Sequence, residues 1–211
     1  MRALILVDIQ NDFVPGGALQ VAEGDQVVPV ANRLMPMFDL VVATQDWHPA
    51  DHLSFASQHP DKKAGNMIKL HGQNQILWPD HCVQNTFGAE LVAGLDKNRI
   101  DRVFTKGTNR QVDSYSGFFD NDYRQATGLG EFLKQKGVTD VSILGLATDY
   151  CVKFTALDAR QLSFKTFVIE DGCRGVNLNP SDVSKALEQM QRAGVKIVQS
   201  KRLIETEDSL K

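Results

Sequence analysis

The sequence has no long apolar run and no excess of basic residues. No hydrophobic stretch approaches the roughly 20 residues that a membrane-spanning helix needs, and the apolar run after Arg2 is only strand-length, without a small-residue cleavage site. The net charge is -3 over 211 residues, whereas proteins that bind nucleic acid or membrane surfaces normally carry a basic patch. We therefore expect no membrane span, no signal peptide, and no nucleic-acid or membrane partner.

Cysteines are also few. Cys82, Cys151 and Cys173 are odd in number, widely separated and form no CxxC pair. This pattern favours a reduced, cytoplasmic chain with free thiols over a disulfide framework. The chain has no internal repeat or low-complexity tract and is long enough for one hydrophobic core, so we expect a single domain over residues 1–211. A homo-oligomer is compatible with the sequence, which does not specify one.

Short apolar runs alternate with segments of helical spacing. The apolar runs cover residues 3–7, 40–43, 102–105, 141–146, 166–169 and 195–198, and the predicted helices cover 25 to about 38, 129–135, 149–162 and 181–192. Asp25 is the expected cap of the first helix. Near-continuous apolar strands are typical of a parallel sheet that is buried on both faces. The alternation predicts an α/β three-layer sandwich with right-handed crossovers.

Four side chains that can carry chemistry stand at the ends of predicted strands. Asp8 ends the first strand, Asp46 follows the second, Lys106 ends the third and Cys151 follows the fourth. Because ligands of parallel α/β sheets bind outside the carboxyl ends of the strands, we expect these side chains to converge. Each residue type also has an ordinary role. A cysteine is often a small buried hydrophobic residue, an aspartate often caps a turn, and a lysine is usually a solvated cation.

Cys151 lies where a strand gives way to a helix. The positive end of the helix dipole would stabilise its thiolate, and nearby backbone N–H groups could receive an oxyanion. Asp8 would take the thiol proton, and the Lys106 ammonium between the two groups would favour the thiolate. No histidine lies near Asp8, Lys106 or Cys151 in the sequence, so a Cys–Asp–Lys arrangement competes with a Cys–His one.

The segment from about residue 46 to 88 has little periodicity, yet it holds both tryptophans and a group of histidines, which favours a functional loop. Asp46, His48 and His81 would place carboxylate and imidazole ligands around one divalent metal ion. Mixed ligation of this kind suits zinc first, and also iron or manganese, with open positions for water. The alternative histidine ligands are His52, His59 and His71.

Aromatic residues lie beside these polar groups in the sequence. They are Phe13, Trp78 and Tyr115. Most aromatic side chains fill the core, and the alternative here is a pocket that stacks a flat ring.

Motifs along nearly the whole chain occur in the order found in one enzyme family. They are VDIQNDF (7–13), QDWHP (45–49), FASQH (55–59), WPDHCV (78–83), KG (106–107), DSYSGFF (113–119), GLATDYCVK (145–153) and DGCRG (171–175). On these motifs the sequence resembles the nicotinamidases, within the isochorismatase-like cysteine hydrolases. The resemblance implies an isochorismatase-like, Rossmann-like fold with a six-stranded parallel sheet. It also implies hydrolysis of nicotinamide to nicotinate and ammonia in NAD salvage, with pyrazinamide as a further substrate.

The same resemblance implies a role for each candidate residue. The catalytic residues would be Asp8, Lys106 and Cys151, and Cys151 would form a thioester. The metal ligands would be Asp46, His48 and His81, with His52 as a fourth ligand or a neighbour. A cis peptide between Leu146 and Ala147 would turn the Ala147 N–H toward the oxyanion beside the N–H of Cys151. The ring of the substrate would contact Phe13, Trp78 and Tyr115.

Three other functions compete with this one. A related amidase that cleaves carbamoyl or ureido compounds would share Asp8, Lys106 and Cys151 but would need no metal to hold a pyridine ring. An isochorismatase would lack the thiol nucleophile. A non-catalytic Rossmann-like binding domain is disfavoured because no glycine-rich turn follows the first strand.

Overall fold

The protein is represented by a computed structural model, which describes residues 1–208. The elements, in chain order, are β1 (Arg2–Val7), α1 (Val27–Leu34), β2 (Leu40–Asp46), β3 (Met67–Leu70), β4 (Gln73–Ile76), β5 (Arg102–Lys106), α2 (Leu129–Gln135), β6 (Asp140–Leu146), α3 (Lys153–Gln161), β7 (Lys165–Arg174), α4 (Asp182–Arg192), β8 (Lys196–Val198) and α5 (Ser200–Asp208). No helix in the described part of the chain is both long and apolar enough to cross a membrane.

Six strands form one parallel sheet in the order β5-β2-β1-β6-β7-β8. This arrangement confirms the predicted sheet. The apolar residues of β1 are fully buried because strands lie on both sides of β1 and helices cover the sheet. Helices α1 and α5 contact each other and pack against β7. Helices α3 and α4 also contact each other, and they pack against β7 and β8 respectively, so helices flank the sheet.

The strand order places a switch point beside β1. The chain proceeds from β1 to β2 and β5 on one side, and from β6 to β7 and β8 on the other. Val7 pairs with Gly145, and Asp46 pairs with Lys106, so the carboxyl ends of these strands are in register. A cleft for ligands is expected at such a switch point.

The helix predictions were accurate in the second half of the chain and inaccurate in the first. Helix α2 has the predicted bounds. Asp25 does not cap α1, because it lies in a 3₁₀ turn and the helix begins only at Val27. The helix ends at Leu34, where Pro36 enters a second 3₁₀ turn, since proline lacks the N–H that would continue the α-helical pattern. Helix α5 was not predicted.

The segment 46–88 is more regular than predicted. It contains an antiparallel hairpin of β3 and β4, joined at His71 and Gly72. Both turn residues have positive φ, 48° and 87°, as the preferred two-residue hairpin turn requires. The hairpin stands apart from the main sheet.

Candidate active site

The predicted catalytic residues meet at the carboxyl edge of the sheet. Asp8 directly follows β1 with a left-handed φ of 48°, and Lys106 ends β5. Cys151 lies in a π-helical turn, Thr148–Val152, between β6 and α3. The Leu146–Ala147 peptide before that turn is cis, as the resemblance implied. The predicted helix over 149–162 therefore begins with a wider turn than an α-helix.

We call Asp8, Lys106 and Cys151 the charge cluster. The Lys106 ammonium lies 2.9 Å from Asp8 Oδ2 and donates a hydrogen bond of 3.5 Å to Cys151 Sγ. It also donates to the Ser114 carbonyl at 2.8 Å, and the Thr44 hydroxyl donates to Asp8 Oδ1 at 2.6 Å. Asp8, Lys106 and Cys151 are all buried, so these contacts act with little screening by water.

The pKa of the thiol differs in direction from the sequence-based expectation of a stabilised thiolate. Burial raises the pKa of Cys151 well above its usual value, the carboxylates of Asp8 and Asp46 add to this effect, and only the Lys106 charge opposes it. Burial also raises the pKa of Asp8 against the opposing charge of Lys106. For Lys106 itself, burial favours the neutral amine, but the two carboxylates outweigh it and raise the pKa well above normal. At rest the cluster therefore holds a thiol and an ammonium, and the thiol needs a base.

We call Asp46, His48 and His81 the histidine cluster. Asp46 Oδ2 lies 3.4 Å from His48 Nε2 and 3.7 Å from His81 Nε2. The Nδ1 atoms face backbone carbonyls, that of Gly107 at 2.9 Å for His48 and that of Pro79 at 2.8 Å for His81. Since a carbonyl oxygen only accepts, each Nδ1 carries the proton of the neutral ring, and each Nε2 presents a lone pair.

These donors fit a divalent metal ion. The buried His48 Nε2 has no hydrogen-bond partner among the described residues. Ligand atoms about 2.0–2.1 Å from a tetrahedral zinc ion lie about 3.3 Å apart, close to the separations within the cluster. Burial disfavours a charged His48, yet Asp46 outweighs burial and raises the pKa of His48, so the pair attracts positive charge. Imidazoles held through Nδ1–H to a carbonyl are typical of metal ligands.

His52 differs from the other two histidines. The Ser54 backbone N–H donates to His52 Nδ1 at 3.1 Å, and the Ser54 hydroxyl lies 2.7 Å from the same atom. Nδ1 is thus an acceptor, which leaves the ring proton on Nε2. Burial lowers the pKa of His52 to about 4. Together with His48 and Asp113, His52 forms a second group of buried side chains that could hold a metal ion. His52 packs against the His48 ring at 4.4 Å between centroids.

The remaining histidines lie outside both clusters. His59 Nε2 bonds to the Leu53 carbonyl at 2.8 Å, and His71 is exposed at the hairpin turn. Neither belongs to a group of potential metal ligands in the described part of the chain.

Several residues that the sequence did not single out hold the histidine cluster in place. Gln10 donates to the Asp46 carbonyl at 2.8 Å and accepts from the Asp46 N–H at 2.8 Å, so it fixes the backbone of that residue. Asp12 accepts from the N–H of Cys82 at 2.7 Å, directly after His81. Gly107 has a φ of 66°, and a Cβ there would collide with the His48 ring. Gln10 and Asp12 lie in the VDIQNDF motif, so the sequence did contain a signal for their role in the site.

A small cleft joins the two clusters. Its lining residues are Phe13, Leu19, Asp46, Trp78, His81, Asp113, Tyr115, Ala147, Tyr150, Cys151 and Val176. The three aromatic residues that were predicted to contact the substrate ring therefore line the same cleft as the Cys151 thiol and two of the predicted metal ligands. Leu19, Asp113, Tyr150 and Val176 were missed, although Asp113 and Tyr150 stand within quoted motifs. The wall of the cleft is largely apolar, as is typical of sites that bind small ligands.

Comparisons with known proteins agree with this geometry. The sequence matches the Isochorismatase domain over residues 2–202. A nicotinamidase of Escherichia coli (strain K12) is 54% identical over 197 residues, covering 92% of this chain and 92% of that protein. A solved nicotinamidase pyrazinamidase structure from Acinetobacter baumanii is 45% identical, with a TM-score of 0.93 over 96% of this chain and 97% of that chain. A pyrazinamidase of Pyrococcus horikoshii, solved in complex with zinc, is 40% identical. Its TM-score is 0.76, and the match covers 94% of this chain and 98% of that chain. The chain therefore belongs to the nicotinamidases of the isochorismatase family.

Proposed function

We propose that this protein hydrolyses nicotinamide to nicotinate and ammonia and so serves NAD salvage. The observation that carries the proposal is that one cleft is lined by the Cys151 thiol, by Asp46 and His81 of the histidine cluster, and by three aromatic side chains. A thiol beside a buried carboxylate and ammonium suits nucleophilic attack on an amide. The identity to the nicotinamidase of Escherichia coli, 54%, supports the substrate.

In the proposed reaction Asp8 is the base. It takes the proton of Cys151, and the thiolate attacks the carboxamide carbon. The backbone N–H groups of Ala147 and Cys151 receive the oxyanion. Asp8 then protonates the departing ammonia, which leaves a thioester, and later takes a proton from the water that releases nicotinate. Lys106 stays charged throughout, orients the carboxylate and balances the negative charge that passes between Asp8 and Cys151.

Asp46, His48 and His81 would hold one divalent metal ion, with zinc as our first choice because the pyrazinamidase of Pyrococcus horikoshii was solved in complex with zinc. Iron and manganese suit the same donors. The bound ion would supply a Lewis acid for the pyridine nitrogen. We assign His52 as a neighbour that packs on His48 instead of a fourth ligand. Phe13, Trp78 and Tyr115 would flank the substrate ring.

We further propose one catalytic domain over residues 1–211, in which the segment 46–88 supplies His48 and His81.

The three cysteines are free thiols, which suits the reducing cytoplasm.

The test is ammonia release from nicotinamide by the purified protein, with and without a chelator. We expect activity that falls on metal removal and returns with added zinc. Cys151→Ala should abolish turnover and keep the bound metal, whereas the control Cys173→Ala removes a buried thiol outside the cleft and should retain turnover. Normal turnover by Cys151→Ala would rule out the cysteine mechanism.

A carbamoyl or ureido amidohydrolase remains the second candidate, because it would use the same charge cluster. The unpartnered His48 Nε2 argues against it, since such substrates have no ring nitrogen for a metal to hold. Full activity of the metal-free protein, or a preference for N-carbamoyl compounds over nicotinamide and pyrazinamide, would favour this alternative.

A further inference from the structure

The β3–β4 hairpin buries one polar side chain among mostly exposed ones. Lys69 and Asn74 are exposed on it, whereas Gln75 is 4% exposed. If the hairpin only packed against the core, an apolar side chain would be expected at the buried position of Gln75. Burying an amide costs free energy unless its hydrogen bonds are made, so the contacts of Gln75 indicate what the hairpin does.

The Gln75 amide reaches the wall of the cleft. Its Nε2 lies within hydrogen-bond distance of the Tyr115 hydroxyl at 3.2 Å, Asp113 Oδ2 at 3.0 Å and the Ile76 carbonyl at 2.7 Å. The Trp78 indole N–H donates to the same Tyr115 hydroxyl at 3.2 Å. The Tyr115 hydroxyl thus faces two N–H donors, one from Gln75 in β4 and one from Trp78 three residues later.

Tyr115 separates three spaces. It lines the cleft that contains Cys151, and it also lines two outer grooves of about 360 Å³ and 190 Å³, both of which include Asn74 of the hairpin. Phe154 lines both grooves and stacks on the Tyr115 ring at 5.4 Å between centroids. Tyr150 lines the cleft and the larger groove as well, and movement of the Tyr115 ring would open the cleft toward both grooves.

We propose that Gln75 is a specificity-determining positioning residue, which holds Tyr115 as the partition between the ring cleft and the outer grooves and so excludes aromatic amides with bulky ring substituents. The inference rests on the proposed function for its substrates. The amide is suited to this task because it ties Tyr115 and Asp113 together on one side chain, and loss of the amide leaves the Tyr115 hydroxyl with the Trp78 bond alone.

The first experiment compares kcat/KM for nicotinamide with kcat/KM for nicotinamides that carry a phenyl group at ring position 5 or 6. Gln75→Ala should raise the ratio of substituted to unsubstituted substrate about tenfold, the scale on which pocket contacts discriminate. Tyr115→Ala, which removes the partition itself, should raise the same ratio at least as far. Lys69→Ala, an exposed change on the same hairpin, should leave the ratio unchanged. An unchanged ratio in both Gln75→Ala and Tyr115→Ala, or an equal rise in Lys69→Ala, would overturn the proposal.

A second experiment needs no turnover. In a Trp47→Phe background Trp78 is the only tryptophan, since the chain has two. Gln75→Ala should make Trp78 fluorescence several-fold more accessible to acrylamide, because the Tyr115 hydroxyl no longer has a second support. Unchanged quenching in a folded Gln75→Ala protein would refute the positioning role. If the wild-type protein failed to hydrolyse nicotinamide, the proposed function would fall while this measurement still decided the role of Gln75.

Discussion

The charge cluster and the histidine cluster lie side by side but are completed in different ways. Lys106 is paired to Asp8 at 2.9 Å and also to Asp46 at 2.7 Å, so a cation of the protein itself offsets part of the buried negative charge around Cys151. The histidine cluster instead leaves His48 Nε2 without a hydrogen-bond partner in the described residues. One cluster has a counterion within the protein, and the other presents ligand atoms that suit the proposed metal ion. The difference separates the groups proposed to break the amide from those proposed to hold the ring.

Removing Lys106 should have the largest effect because this residue pairs with a carboxylate of each cluster. Lys106→Met leaves Asp8 and Asp46 buried without their counterion, and breaking such a buried pair typically costs about 3–5 kcal/mol. We expect a decrease of that size in the free energy of unfolding, measured by urea titration at neutral pH, together with loss of ammonia release. The control is Lys165→Met, which breaks the Lys165–Asp140 pair at 3.1 Å with a half-exposed lysine and should cost under about 1 kcal/mol. Equal losses in the two variants would contradict a central charge role for Lys106.

Asp8→Asn should impair the charge cluster and leave the histidine cluster intact. The amide cannot take the thiol proton, and loss of a general base lowers turnover by about 10²–10⁴-fold. The histidine cluster does not include Asp8, so we expect the metal content, measured by atomic absorption, to equal that of the wild type. Loss of metal together with loss of activity would show that the two clusters cannot be treated as independent.

Gly107→Ala should affect the histidine cluster first. The added Cβ would collide with the ring of His48, and displacement of a metal ligand or its support typically lowers metal affinity about 10–100-fold. Gly137→Ala is the matched control, since Gly137 also has a positive φ, 72°, but a Cβ there meets no atom within 4 Å. Zinc titration of the metal-free variants measures the difference. Similar affinities in the two variants would mean that the Gly107 effect is backbone strain alone.

Both clusters could be anticipated from the sequence because the topology brings strand ends together. Asp8 and Cys151 follow apolar runs that had to be buried parallel strands, and parallel strands share one carboxyl edge. The motif around Asp46 and His48 was local in the chain and equally visible.

The supports of the clusters were not visible in the same way. Gln75 is one of three polar residues that precede Ile76 in β4, and only the packing of the hairpin on Tyr115 explains its burial. The effect of Lys106 in lowering the pKa of Cys151 was predicted, but the larger rise from burial beside Asp8 and Asp46 was not, because that burial depends on tertiary structure. Asp25 was expected to cap a helix on propensity alone, and the local 3₁₀ turn overrode it.

Thr44→Val should have the smallest effect and tests which region sets the acid limit of activity. The Thr44 hydroxyl bond to Asp8 Oδ1, 2.6 Å, lowers the pKa of Asp8, so its loss raises that pKa. Asp8 acts in its ionised form, and the acid limb of kcat/KM, which reports the free enzyme, should therefore move to higher pH. Thr44→Ser keeps the hydroxyl and should keep the limb in place. An unmoved limb in Thr44→Val, combined with a shifted limb in Gly107→Ala, would assign the acid limit to the histidine cluster instead.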